Sequence, residues 1–154
     1  MFDRLFSMLN AVNPLSDELK EHLKSILVAR KIAKKEVLLH QGQFCEYIYF
    51  VNEGLLHCYY EKYESQITSW FMKENDVIIS VKSFYTQTPS VESIVAIEST
   101  SILAIHYNDL QQIYIQFPEF NITGRLLTTR YYIQSEERLY SLRKERAKDR
   151  YHSL

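Results

Sequence analysis

Between Val37 and Phe71 the chain reads VLLHQGQFCEYIYFVNEGLLHCYYEKYESQITSWF, short apolar and aromatic runs broken by single glycines at Gly42 and Gly54. Strand-forming runs bounded by turn residues at intervals of about ten positions are what an antiparallel roll requires, because each strand must reverse before the next can pair. The pattern predicts a mainly β fold with flanking helices, a jelly roll with strands near 36–41, 47–52, 55–62, 66–73, 92–98 and 101–106. Glycine is scarce, only Gly42, Gly54 and Gly124. The first two are therefore assigned to turns that demand a positive φ, and Asn75 is a candidate for a third.

Helices flank this region. Met1 to Asn10 is helical in pattern, and Ser16 can cap a second helix carrying Leu19, Leu23, Ile26 and Leu27. Arg30 to Lys35 reads as a basic connection or short strand. Asn108-Asp109-Leu110-Gln111 carries the cap and third-position amide of another helix start, and Pro118 suits the first turn of the helix after it. From Glu119 to about Arg146 helix formers dominate without a proline, with Gly124 as the weak point. Leu126, Ile133, Tyr140 and Ala147 recur every seven residues; Tyr132, Ser135, Leu139 and Leu142 form a neighbouring coiled-coil stripe. A helix of about 28 residues spans about 42 Å and overreaches a domain this small. One stripe is expected on the roll and the other, with Tyr132, Ser135, Leu139 and Leu142, in a homodimer interface. The organisation expected is 1–118 for the helices, roll and short following helix, then 119–147 for the long dimerisation helix, then 148–154 as the start of a hinge.

The net charge of -1 conceals an asymmetry: residues 1–124 hold 10 basic and 15 acidic side chains, and residues 125–154 hold 8 and 4. Acids interleave with the bases of the tail, as on a solvated helix face, so charge alone does not make it a nucleic-acid surface. Two cysteines, Cys45 and Cys58, are too few for a zinc or iron–sulfur site, and without an apolar leader they are expected reduced in a cytoplasmic protein. His40, His57 and His106 stand on separate strands with no His-x-His pair, which weighs against a metal-dependent cupin-type enzyme, the alternative from another class. Haem needs only one or two axial ligands; His57 and Cys58, adjacent on a strand, point to opposite faces and do not suit one iron. No catalytic triad, nucleophile elbow, Walker loop or carboxylate pair is present, so no enzyme activity, catalytic residue or cofactor is expected. Tyr47, Tyr49, Tyr59, Tyr60 and Tyr63 read as half-buried strand positions with hydroxyls in water; an acidic body does not suit a stacking platform for single-stranded nucleic acid.

Asn13-Pro14-Leu15-Ser16, the segment Val37-Leu38-Leu39-His40-Gln41-Gly42, the segment Tyr49-Phe50-Val51-Asn52-Glu53-Gly54 and the helix after Phe117-Pro118-Glu119 together resemble the cyclic-nucleotide-binding-like sensor domain of the Crp/Fnr bacterial transcription regulators. The resemblance implies an eight-stranded roll, a long helix through which two copies dimerise, and a winged helix-turn-helix reader after a hinge. Arg150-Tyr151-His152-Ser153-Leu154 resembles the start of that reader's first helix, so DNA contact is expected only through a C-terminal domain beyond this sequence, and no membrane is implied.

Members of that family that bind cyclic AMP carry Gly-Glu-Leu, a short helix, then Arg-Ser or Arg-Thr. The arginine pairs with the cyclic phosphate, the glutamate takes the ribose hydroxyl, and helix N-terminal amides complete the anion site. In this chain the triplet falls on Ile79-Ser80-Val81 and the arginine on Glu92, with Ser93 retained. Glu92 reverses the key charge, so binding of cyclic AMP in the family's way is not expected. The candidate pocket is Ser80, Val81, Glu92 and Ser93, with Ser135 placed like the family's base-contacting Thr-Ser pair. Its occupant is an unknown small-molecule effector or none, the latter leaving a ligand-free dimerisation scaffold.

Overall fold

The computed structural model describes residues 1–152. Helices α1 (Asp3–Val12) and α2 (Asp17–Ile26) precede β1 (Val28–Ile32), β2 (Val37–Leu39), β3 (Tyr47–Glu53), β4 (Leu56–Lys62), β5 (Ser65–Met72) and β6 (Val77–Ile78). Then come α3 (Val81–Thr86), β7 (Ser93–Ala96), β8 (Thr100–His106), α4 (Tyr107–Gln116) and α5 (Glu119–His152). The strands form two four-stranded antiparallel sheets, β1-β8-β3-β6 and β2-β7-β4-β5, as the glycine-punctuated runs require. Two strands escape the sequence pattern. β1 starts earlier than the Arg30–Lys35 connection, pairing Val28–Ile32 with Ala104–Thr100, and β6 is only two residues long, too short to carry a period.

The central strands of the first sheet are buried on consecutive positions, Tyr49-Phe50-Val51 in β3 and Ile102 to Ile105 in β8. Such runs mark strands covered on both faces. One cover is the second sheet; another is α1, which packs on β3 and buries Leu5 and Leu9 at helical spacing. Tyr49 is therefore a core residue and not the half-buried, water-reaching position expected of it, whereas Tyr63 stands almost fully exposed at the β4–β5 turn. That turn places Tyr63 and Glu64 at φ 52° and 64°. Two left-handed central residues make a type I′ hairpin, here without the glycine that usually advertises one.

Ser16 caps α2 as expected, its hydroxyl accepting from the Leu19 amide at 3.2 Å, and sets Leu19 and Leu23 fully into the core. Each such leucine contributes about 2 to 3 kcal/mol by leaving water. α4 departs from expectation. It opens at Tyr107, and the cap is His106, whose Nδ1 accepts from the Asn108 amide at 3.1 Å, because β8 runs directly into the helix and leaves no residues for an Asn108 cap.

All four crossings at one end of the roll are tied together: 33–36, 54–55, 73–76 and 97–99. Lys35 N–H donates to Ala96 O at 2.8 Å, Ile97 N–H to Leu55 O at 2.9 Å, and Asn75 N–H to Val51 O at 2.9 Å, with Asn75 at φ 74° as its place in the turn suggested. Gly54 N–H donates to Glu74 Oε1 at 3.1 Å and holds that carboxyl below its ordinary pKa. Leu55 N–H reaches the buried Thr100 hydroxyl at 3.1 Å. Gly54 sits at φ 111°, and a Cβ there would lie 2.6 Å from Thr100 Cα and collide with Thr100 Oγ1. We expect Gly54→Ala to cost about 3 kcal/mol or more and to lower Tm by about 6–12 °C, read by thermal unfolding. An unchanged Tm would mean that the crossing has slack.

Cys45 and Cys58 are both buried and unbridged, and burial pushes both thiols above their ordinary pKa. A thiol reagent at mildly alkaline pH should label neither in the native protein and both after denaturation, because the nucleophile is the thiolate. Fast labelling of one in native protein would contradict this burial.

Candidate functional site

The opposite end of the roll carries the loop from Ile79 to Glu92. Gly42 N–H donates to Ser90 O at 2.7 Å and Ser90 N–H to Gln43 O at 2.8 Å, binding this loop to the β2–β3 connection. Within it the hydroxyls are consumed by one another. Ser90 Oγ donates to Glu92 O at 2.7 Å and accepts from Glu92 N–H at 3.1 Å, so Ser80, whose Oγ lies 2.8 Å from it, is the donor of that pair. Ser83 Oγ accepts from Cys45 N–H at 2.8 Å. Ser93 Oγ accepts from Gln41 N–H at 2.9 Å. Ser80 and Ser93 are buried, and Val81 is on the surface. Of the residues singled out in the sequence, Glu92 and Ser135 each interact with Tyr131, while Ser80 and Ser93 are spent in bonds that fix the loop before and after Glu92.

β5 is an edge strand, and β4 pairs with it through Cys58↔Trp70 and then Tyr59↔Thr68, which leaves one extra β5 residue in a bulge. Trp70 and Met72 share the inward face with Leu56 and Cys58; bulges of this kind re-aim neighbouring side chains. Trp70 meets α5. Its ring lies 5.5 Å from that of Tyr131 and carries the Arg138 guanidinium on its face, Cζ 3.1 Å from the centroid. Thr68, Trp70, Phe71 and Arg138 line a cleft of about 280 Å³ open at this edge.

The inward line of α5 is Phe120, Thr123, Leu127, Tyr131, Ser135 and Arg138, buried or half-buried at three- and four-residue spacing; the helix packs on α1 and α4, and reaches the roll at Tyr131 and Arg138. This corrects the expectation that one apolar stripe lies on the roll. Leu126, Ile133 and Tyr140 are exposed, as are Tyr132, Leu139 and Leu142 at 70 %, 48 % and 50 %; the roll is met instead by side chains with apolar stems and polar tips. Ser135 faces the roll, hydrogen-bonded to Tyr131. Gly124, a weak point by propensity, has a packing reason: a Cβ there would lie 2.7 Å from Tyr114 Oη of α4. The helix also continues without a break through 148–152; Ser153 and Leu154 lie outside the described residues.

Glu92 is within electrostatic reach of Arg138, Tyr131 and Cys58. Burial lowers the Arg138 pKa, and Tyr131, Cys58 and Glu92 oppose that shift; burial raises Tyr131, and Ser135 and Arg138 oppose it. The guanidinium stays charged, as arginine does in proteins, and the Cys58 thiol stays neutral. A cation on a tryptophan face that solvent still reaches contributes about 1 kcal/mol. Trp70, Tyr131 and Arg138 were not singled out in the sequence. The signal was present in the spacing of Tyr131, Ser135 and Arg138, four and three residues apart on one helix face, and in Trp70 being the chain's single tryptophan.

The histidines are employed separately. His57 packs between Tyr59 and Phe71, His106 caps α4 edge-on to Tyr47 at 5.1 Å, and His40 is exposed. Among the described residues no three metal-ligating side chains gather, and no helix is long and apolar enough to cross a membrane.

No curated protein matches the sequence significantly. Among solved structures, a cyclic nucleotide-binding domain from Methylobacillus flagellatus superposes with TM-score 0.75 at 19% identity, over 91% of this chain and 83% of that one. The Thermus thermophilus catabolite activator protein gives TM-score 0.70 at 18% identity over 88% of this chain, which spans only 62% of that protein. The sensor domain of the transcriptional regulator DNR from Pseudomonas aeruginosa gives 0.68 at 18% identity, over 88% and 91% of the two chains. At these identities the likeness is one of fold. The family model for the cyclic nucleotide-binding domain matches residues 29–117, more than half of the 154 residues, and the chain belongs to that family.

Proposed function

We propose that this chain is the sensor part of a Crp/Fnr-type transcription regulator, that it signals through α5 in a homodimer, and that it does not take cyclic AMP in the family's way. The observation that carries the last point is the charge at the anion position. Where the resemblance calls for an arginine from the roll, the roll presents Glu92, and the nearby arginine, Arg138, comes from the helix and is already stacked on Trp70. Losing a charge-assisted phosphate bond and facing a carboxylate costs several kcal/mol, and each 1.4 kcal/mol is tenfold in affinity. A nucleotide bound at micromolar strength through that arginine would fall to about millimolar or weaker. Calorimetric titration with cyclic AMP and cyclic GMP should show no saturable heat in the micromolar range. Micromolar binding would mean that other donors rebuild the site.

Regulation follows from the same geometry. An effector that prefers one placement of α5 on the roll biases that placement by its differential affinity for the two states, and the helix carries the bias to whatever follows it. DNA contact belongs to a reader domain in the parent protein, as in the regulators that the fold resembles. The dimer seam is assigned to Tyr132, Leu139 and Leu142, with Ser135 at its roll-side margin. These side chains lie beside the inward line and are open to solvent in the single chain, so a second copy can reach them. Leu139→Asp with Leu142→Asp should give monomers in sedimentation equilibrium, whereas Leu126→Asp with Ile133→Asp on the far stripe should leave the dimer. The reverse result would move the seam to the far stripe.

A further inference from the structure

We propose that the Trp70 face and the Glu92 carboxylate form a guanidinium site, filled by Arg138, and that the effector class able to compete for it is a small planar cation such as a guanidinium or amidinium compound. The proposal rests on the sensor reading above and names its ligand class.

The chemistry of the recess is selective. An indole face is the strongest aromatic partner for a cation, and a flat, weakly hydrated guanidinium stacks on it as Arg138 does, with Cζ 3.1 Å from the centroid. The Tyr131 ring, 5.5 Å from that of Trp70, walls one side, and the buried Cys58 pairs with Trp70 across the strands. Glu92 supplies the negative charge, and its backbone is clamped by Ser90 so that its side chain starts from a fixed point. A body with 15 acidic and 10 basic side chains over residues 1–124 adds a field that favours cations and opposes phosphates. The adjoining cleft of about 280 Å³ falls below the usual range of ligand sites, which suits only a small occupant, and it opens this edge to solvent, so the occupant can exchange.

Arg138 is the last half-buried residue of α5, and every residue from Leu139 to Tyr151 is exposed. A cation that displaces Arg138 removes the anchor on Trp70 and leaves the line from Phe120 to Ser135 in place. Recognition at Trp70 is thereby converted into freedom of the helix that carries the signal.

Trp70 is the chain's single tryptophan and reports directly. Arg138→Ala in the 154-residue chain should shift its emission to the red and speed amide exchange over 139–152. Methylguanidinium, far below denaturing concentration, should reverse the emission shift saturably at about 1–10 mM and leave exchange over 139–152 fast, because a free cation does not tether the helix. Sodium chloride at equal ionic strength should not, and methylammonium should be at least about tenfold weaker, since it lacks the planar face. In wild type the tethered Arg138 competes at high effective concentration, so the same titration should require about tenfold more cation. Glu92→Gln in the Arg138→Ala background should weaken rescue about tenfold while leaving the Ser90 backbone bonds intact. Arg138→Gln, which keeps part of the stem, offers the same rescue if the alanine variant folds poorly. A response in both variants that is unsaturable, matched by sodium chloride or methylammonium, or indifferent to Glu92→Gln overturns the proposal. Cyclic-nucleotide titration of the same preparations is independent: micromolar binding beside intact guanidinium rescue would sink the reading of cyclic AMP exclusion and leave the guanidinium site standing.

Discussion

The clearance between Gly54 and Thr100 governs the roll. All the strand-to-strand crossings at that end converge on it, and the peptide at 54–55 can pass over β8 only because no side chain stands between them. Thr100 uses the space for work, its hydroxyl bonding Leu55 N–H and Glu98 O. With the crossings locked there, the opposite end is left to the loop from Ile79 to Glu92 and to the edge of β5, where α5 docks. One end holds the sheets in register; the other is available for chemistry.

That division explains what was legible in the sequence. The strands, the turns at Gly42, Gly54 and Asn75, and the Ser16 cap follow from local rules, alternation and backbone freedom, that act within a few residues. β6 was not legible because two residues carry no period. The His106 cap was missed because an imidazole does the work that Asn108 was expected to do. The docking of α5 was misread for a different reason. Apolar stripes at Leu126, Ile133 and Tyr140 draw the eye to hydrophobicity, but the helix meets the roll through Tyr131, Ser135 and Arg138, whose stems pack while their tips stay polar.

Glu92 shows the same limit from the other side. Its sign was readable in the sequence, and its companions Tyr131 and Arg138 were not, because they come from a helix far away in the chain. The acid belongs to the roll and the arginine to the helix, so their attraction is built into the polypeptide.

The bulge in β5 has a consequence for variation. Residues on its Met72 side keep the phase of the core, and residues on its Thr68 side follow a register of their own out to the exposed turn at Tyr63 and Glu64. The extra residue is a phase break. Lengthening or shortening the distal hairpin therefore alters its pairing without rotating Trp70, so that tip can diverge freely between related proteins while the indole keeps its aim at the helix.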